Sequence, residues 1–200
     1  MTTTYDEGSL RFTFDHNCLV LKFDECGFYR NRFSQLASAQ IQCSKCDADL
    51  KCAACQSSRA AGTKGVDFVC RQESVVWFVE VKDYRQTRTH NLKFLADEVA
   101  LKVRDSLTAL AAAQWNAADN ESREVARQLV AAKAIRVVLH LEQPQPKSSL
   151  APSAATRSVN VCDRLKGLVS KWADPHAKVV NLKLSGVVPW SVANLPRKKS

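Results

Sequence analysis

The sequence predicts an α/β fold, a mixed central β-sheet flanked by helices, carrying a small four-cysteine metal-binding insertion. Three observations support it. Apolar runs of strand length interleave with apolar stripes at helical spacing. The 200 residues suit a single compact domain, 1–200. Residues 43–64, rich in Cys, Ser, Ala and Lys, have no apolar period, so something other than a core must order them. A composition of 46% hydrophobic and 24% charged residues, with 6 Gly and 6 Pro, excludes a disordered chain. No internal repeat is present.

Residues 10–14 and 18–23 are rich in β-branched and aromatic side chains and flank the turn formers Asp15, His16 and Asn17, which predicts an opening β-hairpin. Tyr29, Phe33 and Leu36 fall at helical spacing and predict a helix from Phe28 to about residue 39. Residues 66–70 and 75–82 are apolar runs joined by Arg71, Gln72, Glu73 and Ser74, a second hairpin. Leu92, Leu95, Val99, Val103, Leu107 and Leu110 then recur at steps of three and four, an amphipathic helix of about six turns. A further helix follows Asp119 and Asn120, with Val125, Leu129 and Ala132 on one side.

Residues 135–142 form an apolar strand stopped by Pro144 and Pro146, and residues 143–158, with three Pro and four Ser, predict an exposed loop. Leu165, Leu168, Val169 and Trp172 predict a short helix, and residues 178–184 a strand. Residues 187–192 predict an edge strand, because Pro189 lacks a ladder donor. Cys18, Cys26, Cys70 and Cys162 have no metal-ligand spacing and are expected in the core, as are Trp77, Trp115, Trp172 and Trp190.

The formal charge of +9 is unevenly spread: residues 1–145 hold 19 basic and 18 acidic side chains, residues 146–200 hold 10 and 2. Such a segment, ending in the basic tail 196–200, favours polyanions through phosphate contacts and counterion release. Nucleic acid is the expected partner, DNA favoured over RNA; the plainer alternative is a tail that serves solubility. No apolar run approaches the ~18–20 residues that span a bilayer. The acidic N-terminal residues lack the pattern of a secretory signal, so a cytoplasmic protein is expected.

Chemistry concentrates in the second hairpin. On a strand, side chains alternate, so Glu80 and Lys82 leave the same face about 7 Å apart while Val79 and Val81 enter the opposite layer. Antiparallel pairing sets Asp67 beside Glu80. Two carboxylates suit a hard cation such as Mg²⁺ or Mn²⁺, which binds phosphate oxygens and keeps waters. A neighbouring lysine can orient an attacking water and stabilise charge on the phosphate.

Gly65-Val66-Asp67 followed by Glu80-Val81-Lys82, with a helix upstream and a long helix downstream, resembles the PD-(D/E)XK nuclease superfamily, the restriction-endonuclease-like fold. The resemblance covers about residues 10–142. It implies a Mg²⁺-dependent endonuclease or exonuclease in which Asp67 and Glu80 hold the ion and Lys82 positions water. The acid that the family often carries on a preceding helix falls to Glu25, with Asp24 as the second choice. After the motif, Tyr84, Arg85 and Arg88 gather aromatic and basic groups that suit phosphate and base contacts. Lys64 adds a cation before it. The charges of the following helix, Lys93, Asp97, Glu98, Lys102, Arg104 and Asp105, read as a solvated mixed face.

Cys43, Cys46, Cys52 and Cys55 form a C-x2-C-x5-C-x2-C pattern that supplies four thiolates to tetrahedral Zn²⁺. An iron–sulfur cluster is the second reading, since some nucleases of the resembling superfamily carry one, and a thiol redox pair the third. The competing function is a non-catalytic nucleic-acid-binding or scaffolding protein with a structural zinc, a subunit of a larger defence or mobile-element system. Nothing in the sequence distinguishes a monomer from a homodimer or a larger complex.

Overall fold

Alternation along the second hairpin divides the molecule into three layers. Val69, Val76 and Phe78 point into one apolar core, while Phe68, Cys70 and Val79 point into another. The computed structural model describes residues 2–34, 63–86, 92–144 and 152–196. Strands β3 (Cys18–Lys22), β4 (Phe68–Gln72), β5 (Val75–Asp83), β6 (Ala134–Glu142) and β7 (Lys178–Val180) form one sheet in that spatial order. The pairs β3–β4 and β4–β5 are antiparallel, β5–β6 and β6–β7 parallel. The sheet is therefore mixed, as expected.

Helices α1 (Leu95–Asn116), α2 (Asn120–Val130) and α3 (Ala154–Val169) cover one face of this sheet. Their register follows the apolar stripe: Leu95, Val99, Val103 and Leu110 of α1 are buried, as are Leu165 and Val169 of α3. Asp119 caps α2 by accepting from the Ser122 amide at 2.6 Å. The opposite face of the sheet packs on a smaller one, β1 (Thr3–Glu7), β2 (Leu10–Phe14) and β8 (Trp190–Asn194), ordered β1-β2-β8 and wholly antiparallel. Phe12, Phe14 and Phe68 pack their rings between these two sheets, with Trp190 against Phe14.

Several expectations are corrected. Residues 10–14 and 18–22 do not form a hairpin: β2 pairs β1 and β8, whereas β3 pairs β4, so the turn at Asp15 carries the chain from one sheet to the other. β1, with acidic and threonine side chains and little apolar content, gave no strand signal. The helix expected from Phe28 appears, within the described residues, as a π-helical turn at Tyr29–Phe33 closed by the Ser34 amide on the Tyr29 carbonyl at 2.7 Å. The exposed loop expected over 143–158 gives way to helix from Ala154, because Ser153 caps the helix and accepts from the Thr156 amide at 3.0 Å. The strand from 178 stops at Val180, where the Asn181 carboxamide oxygen takes the amides of Lys183 and Leu184 and turns the chain. The last strand begins at Trp190, just after Pro189, at the edge of the smaller sheet.

Trp190 is buried and meets Trp77 edge-on at 5.6 Å, but Trp115 is 70% exposed and Trp172 is also on the surface. Cys70 is buried, while Cys18, Cys26 and Cys162 are partly exposed free thiols. The segment 43–55 and the tail beyond residue 196 lie outside the described residues. Among those described, no helix is long and apolar enough to cross a membrane.

Candidate functional site

Glu80 shares its strand face with Val76 and Phe78, so it points toward α1 and is fully buried at 0% exposure. A bare carboxylate there would be untenable. Its Oε1 accepts from the ammonium of Lys82 at 2.9 Å and from that of Lys102 at 2.6 Å. Its Oε2 is buried with no hydrogen-bond partner among the described residues. Lys82 also reaches Glu98 at 3.4 Å, and α1 thus contributes Glu98 and Lys102, one turn apart, to the site.

Asp67 stands just before β4, whose first pair with β5 is Phe68 with Val79, and this register sets Asp67 opposite Glu80. Its Oδ2 accepts from the Val81 amide at 2.6 Å, and its own carbonyl accepts from the Phe23 amide at 2.8 Å. Burial, with 8% of the residue exposed, raises its pKa to about 7. The neighbouring Glu80 charge adds to the rise, while Lys102 and the Val81 amide oppose it. For Lys82, burial works against the charged form, but Glu80 and then Glu98 outweigh it and raise the pKa. The lysine is therefore an ammonium, fit to donate hydrogen bonds and not to accept a proton.

The approach to Asp67 is fixed by α1 and by a glycine. The Val66 amide donates to Ser106 Oγ at 2.9 Å and the Lys64 amide to Asp105 Oδ2 at 3.2 Å. A Cβ on Gly65 would lie 2.9 Å from Phe23 Cδ1 and 3.0 Å from Tyr29 Cζ, so only glycine lets the chain pass between these rings without a shift.

Glu7, Asp24 and Asp67 each offer a carboxylate oxygen within 4.8 Å of the others. Asp24 belongs to a short 3-10 turn, Phe23–Glu25, and its Oδ1 is buried without a partner among the described residues. Burial, then the nearby Glu7, raises its pKa. Glu25, the first choice from the sequence, is instead half-exposed and pairs with Lys22 at 3.0 Å; Lys22 also holds Glu7 at 2.9 Å. The side chain that joins Asp67 is that of Asp24. Glu7 was missed because its strand was missed.

Of the expected nucleic-acid contacts, Arg85 is committed within the protein. Its guanidinium donates to both oxygens of Asp83, to Ser9 Oγ at 2.8 Å and to Asn194 Oδ1 at 2.6 Å. These bonds tie β5 to the smaller sheet and engage most of the donors that a bidentate phosphate contact would use. Tyr84 is half-buried against the helical core, with its amide on the Glu142 carbonyl at 2.9 Å. Lys64 is exposed. Arg88 and the four cysteines Cys43, Cys46, Cys52 and Cys55 lie outside the described residues.

Hard oxygen ligands of the kind a divalent cation takes come together at Glu7, Asp24 and Asp67, while Glu80, opposite Asp67 in the register, lies outside that group. Glu80 Oε2 and Asp24 Oδ1 are buried acceptors without a partner among the described residues, the kind such an ion satisfies. Lys102 was read from sequence as part of a solvated face, because charge alternation along α1 masks which polar position borders the buried stripe. Its packing beside Val99 and Val103 is what brings it onto Glu80.

No family model and no solved structure matches the chain. Among curated proteins it is similar to a cysteine–tRNA ligase of Neisseria meningitidis serogroup A, 27% identical over 214 aligned residues that take in 98% of this chain and 30% of the relative. The chain thus spans under a third of the length of the curated relative it matches.

Proposed function

We propose that the chain is a metal-dependent nuclease domain of the PD-(D/E)XK, restriction-endonuclease-like type, acting in the cytoplasm on phosphodiester bonds of nucleic acid. The observation that carries this reading is the buried pair Asp67 and Glu80 with Lys82 on one face, one glutamate oxygen left without a partner among the described residues. The order of elements supports it: an antiparallel β3-β4-β5 meander, then α1, then β6 parallel to β5.

Asp67 and Glu80 would hold Mg²⁺ or Mn²⁺, with Asp24 within reach through Asp67. Such an ion, when bound, acidifies a ligated water and neutralises charge on the phosphate. Lys82 remains protonated and donates to the attacking water or to the phosphoryl oxygens as negative charge grows there. Val81, through its amide, ties the Asp67 carboxylate to the strand that carries Glu80. Burial of both carboxylates makes their charge strongly felt by a cation, since little water screens it.

A second reading, binding of nucleic acid without hydrolysis, is favoured by the two lysines that already compensate Glu80 and by a relative whose name places its activity on tRNA. One experiment separates them. Wild-type protein and Lys82→Ala are incubated with supercoiled plasmid, single-stranded DNA and tRNA, each with Mg²⁺, Mn²⁺ or EDTA. Metal-dependent cleavage that the variant loses supports the nuclease and identifies its substrate. Binding of any of the three without cleavage by the wild type would replace the nuclease with the binding module.

A further inference from the structure

Lys102 lies in none of the motif positions, yet it makes the shorter of the two contacts to Glu80. Its ammonium is 2.6 Å from Oε1, the oxygen that Lys82 holds at 2.9 Å, and its side chain is 12% exposed. One ammonium suffices to neutralise one carboxylate. The second is surplus on that oxygen, while Oε2 has no partner among the described residues. Lys82 has a further anchor in Glu98 at 3.4 Å, and it extends from the same strand as Glu80. Lys102 comes from a separate element, α1, and Glu80 is the acid it is placed on.

Asp67, Glu80, Lys82 and Lys102 together sum to no net charge when all are ionised. A divalent ion entering this group meets two resident cations, and Lys102, which has no second acidic anchor among the described residues, is the one it displaces most easily. We infer that Lys102 is the resident cation of the site, a positioning residue that compensates Glu80 in the metal-free protein and exchanges with the divalent ion for that carboxylate. The inference rests on the nuclease reading for the presence of the ion and adds to it a named competitor within the chain.

The test uses Mn²⁺ binding, read by the resonance of free Mn²⁺, and needs no catalytic turnover. Lys102→Met keeps the length of the side chain and removes the charge; it is expected to bind Mn²⁺ at least tenfold more tightly than wild type. Lys102→Arg keeps the charge and is expected within threefold of wild type, which a purely space-filling role would not predict. A second measurement avoids variants altogether: pulse acylation of wild-type protein, with mass spectrometry of the peptide containing Lys102. Added Mn²⁺ should raise Lys102 labelling severalfold while the exposed Lys133 stays constant. Should Lys102→Met not fold, the labelling decides.

Unchanged or weaker Mn²⁺ binding by folded Lys102→Met, or Lys102 labelling indifferent to Mn²⁺ that the wild type binds, would overturn the inference and leave the nuclease reading standing. Wild-type protein that binds no Mn²⁺ and cuts no substrate overturns both.

Discussion

The carboxylate of Asp67 accepts a 2.6 Å hydrogen bond from the amide of Val81, so the first acid of the site is held by the strand that carries the second. Asp67 is thereby tied to the strand of Glu80, and its burial gives it a pH dependence. With a pKa near 7 when folded and 3.8 as the ordinary value, Asp67 keeps a proton that the unfolded chain has lost. Its stabilising contribution is complete below about pH 4, falls as pH rises toward 7 and is constant above. The slope from this one group is at most about 1.4 kcal/mol per pH unit. Urea denaturation of metal-free wild type and Asp67→Asn between pH 4.5 and 8 should show the difference shrinking in that window; parallel curves would mean Asp67 titrates normally.

Arg85 is expected to matter for folding and not for substrate. Arg85→Ala leaves Asp83, whose pKa is held down at about 2 chiefly by this guanidinium, without its partner. It should cost about 1–3 kcal/mol at neutral pH. Because the acid's pKa is lowered, that contribution is present above pH 4 and disappears as pH falls toward 2. DNA and tRNA affinity, measured by fluorescence anisotropy at fixed salt, should stay within twofold; a large loss would restore Arg85 as a phosphate contact.

Gly65→Ala tests the path of the chain into Asp67. The new methyl meets Phe23 and Tyr29 at about van der Waals overlap, and the expected cost is about 1–3 kcal/mol. Thermal denaturation checks the stability. Mn²⁺ affinity, taken on the folded fraction, should fall with it, since the shift propagates through Val66 to Asp67.

The cysteine pattern predicts about one zinc ion per purified chain, measured by elemental analysis, and its loss on Cys52→Ser. Zinc absent and iron present in a coloured protein would mark the iron–sulfur alternative instead.

Much of this was legible because it is local. The period-two runs of residues 66–70 and 75–82 place Asp67, Glu80 and Lys82 on adjacent strands before any coordinates exist, and the stripe from Leu95 to Leu110 builds the helix behind them. Where apolar content was thin, the signal failed: β1 went unseen and Glu7 with it, and the first turns of α3 read as loop although Ser153 caps them.

The sequence by itself determined the mixed α/β class, the β4–β5 hairpin and the three charged residues of the motif, since side-chain alternation and apolar spacing are properties of neighbours along the chain. Only the tertiary structure decided that β2 and β3 join different sheets, that Asp24 and not Glu25 approaches Asp67, that Arg85 is consumed by Asp83, and that Lys102 sits on Glu80. Those choices depend on which elements pack across the sheet. A charged side chain carries no mark of its partner until packing places one within reach and removes the water that would otherwise satisfy it.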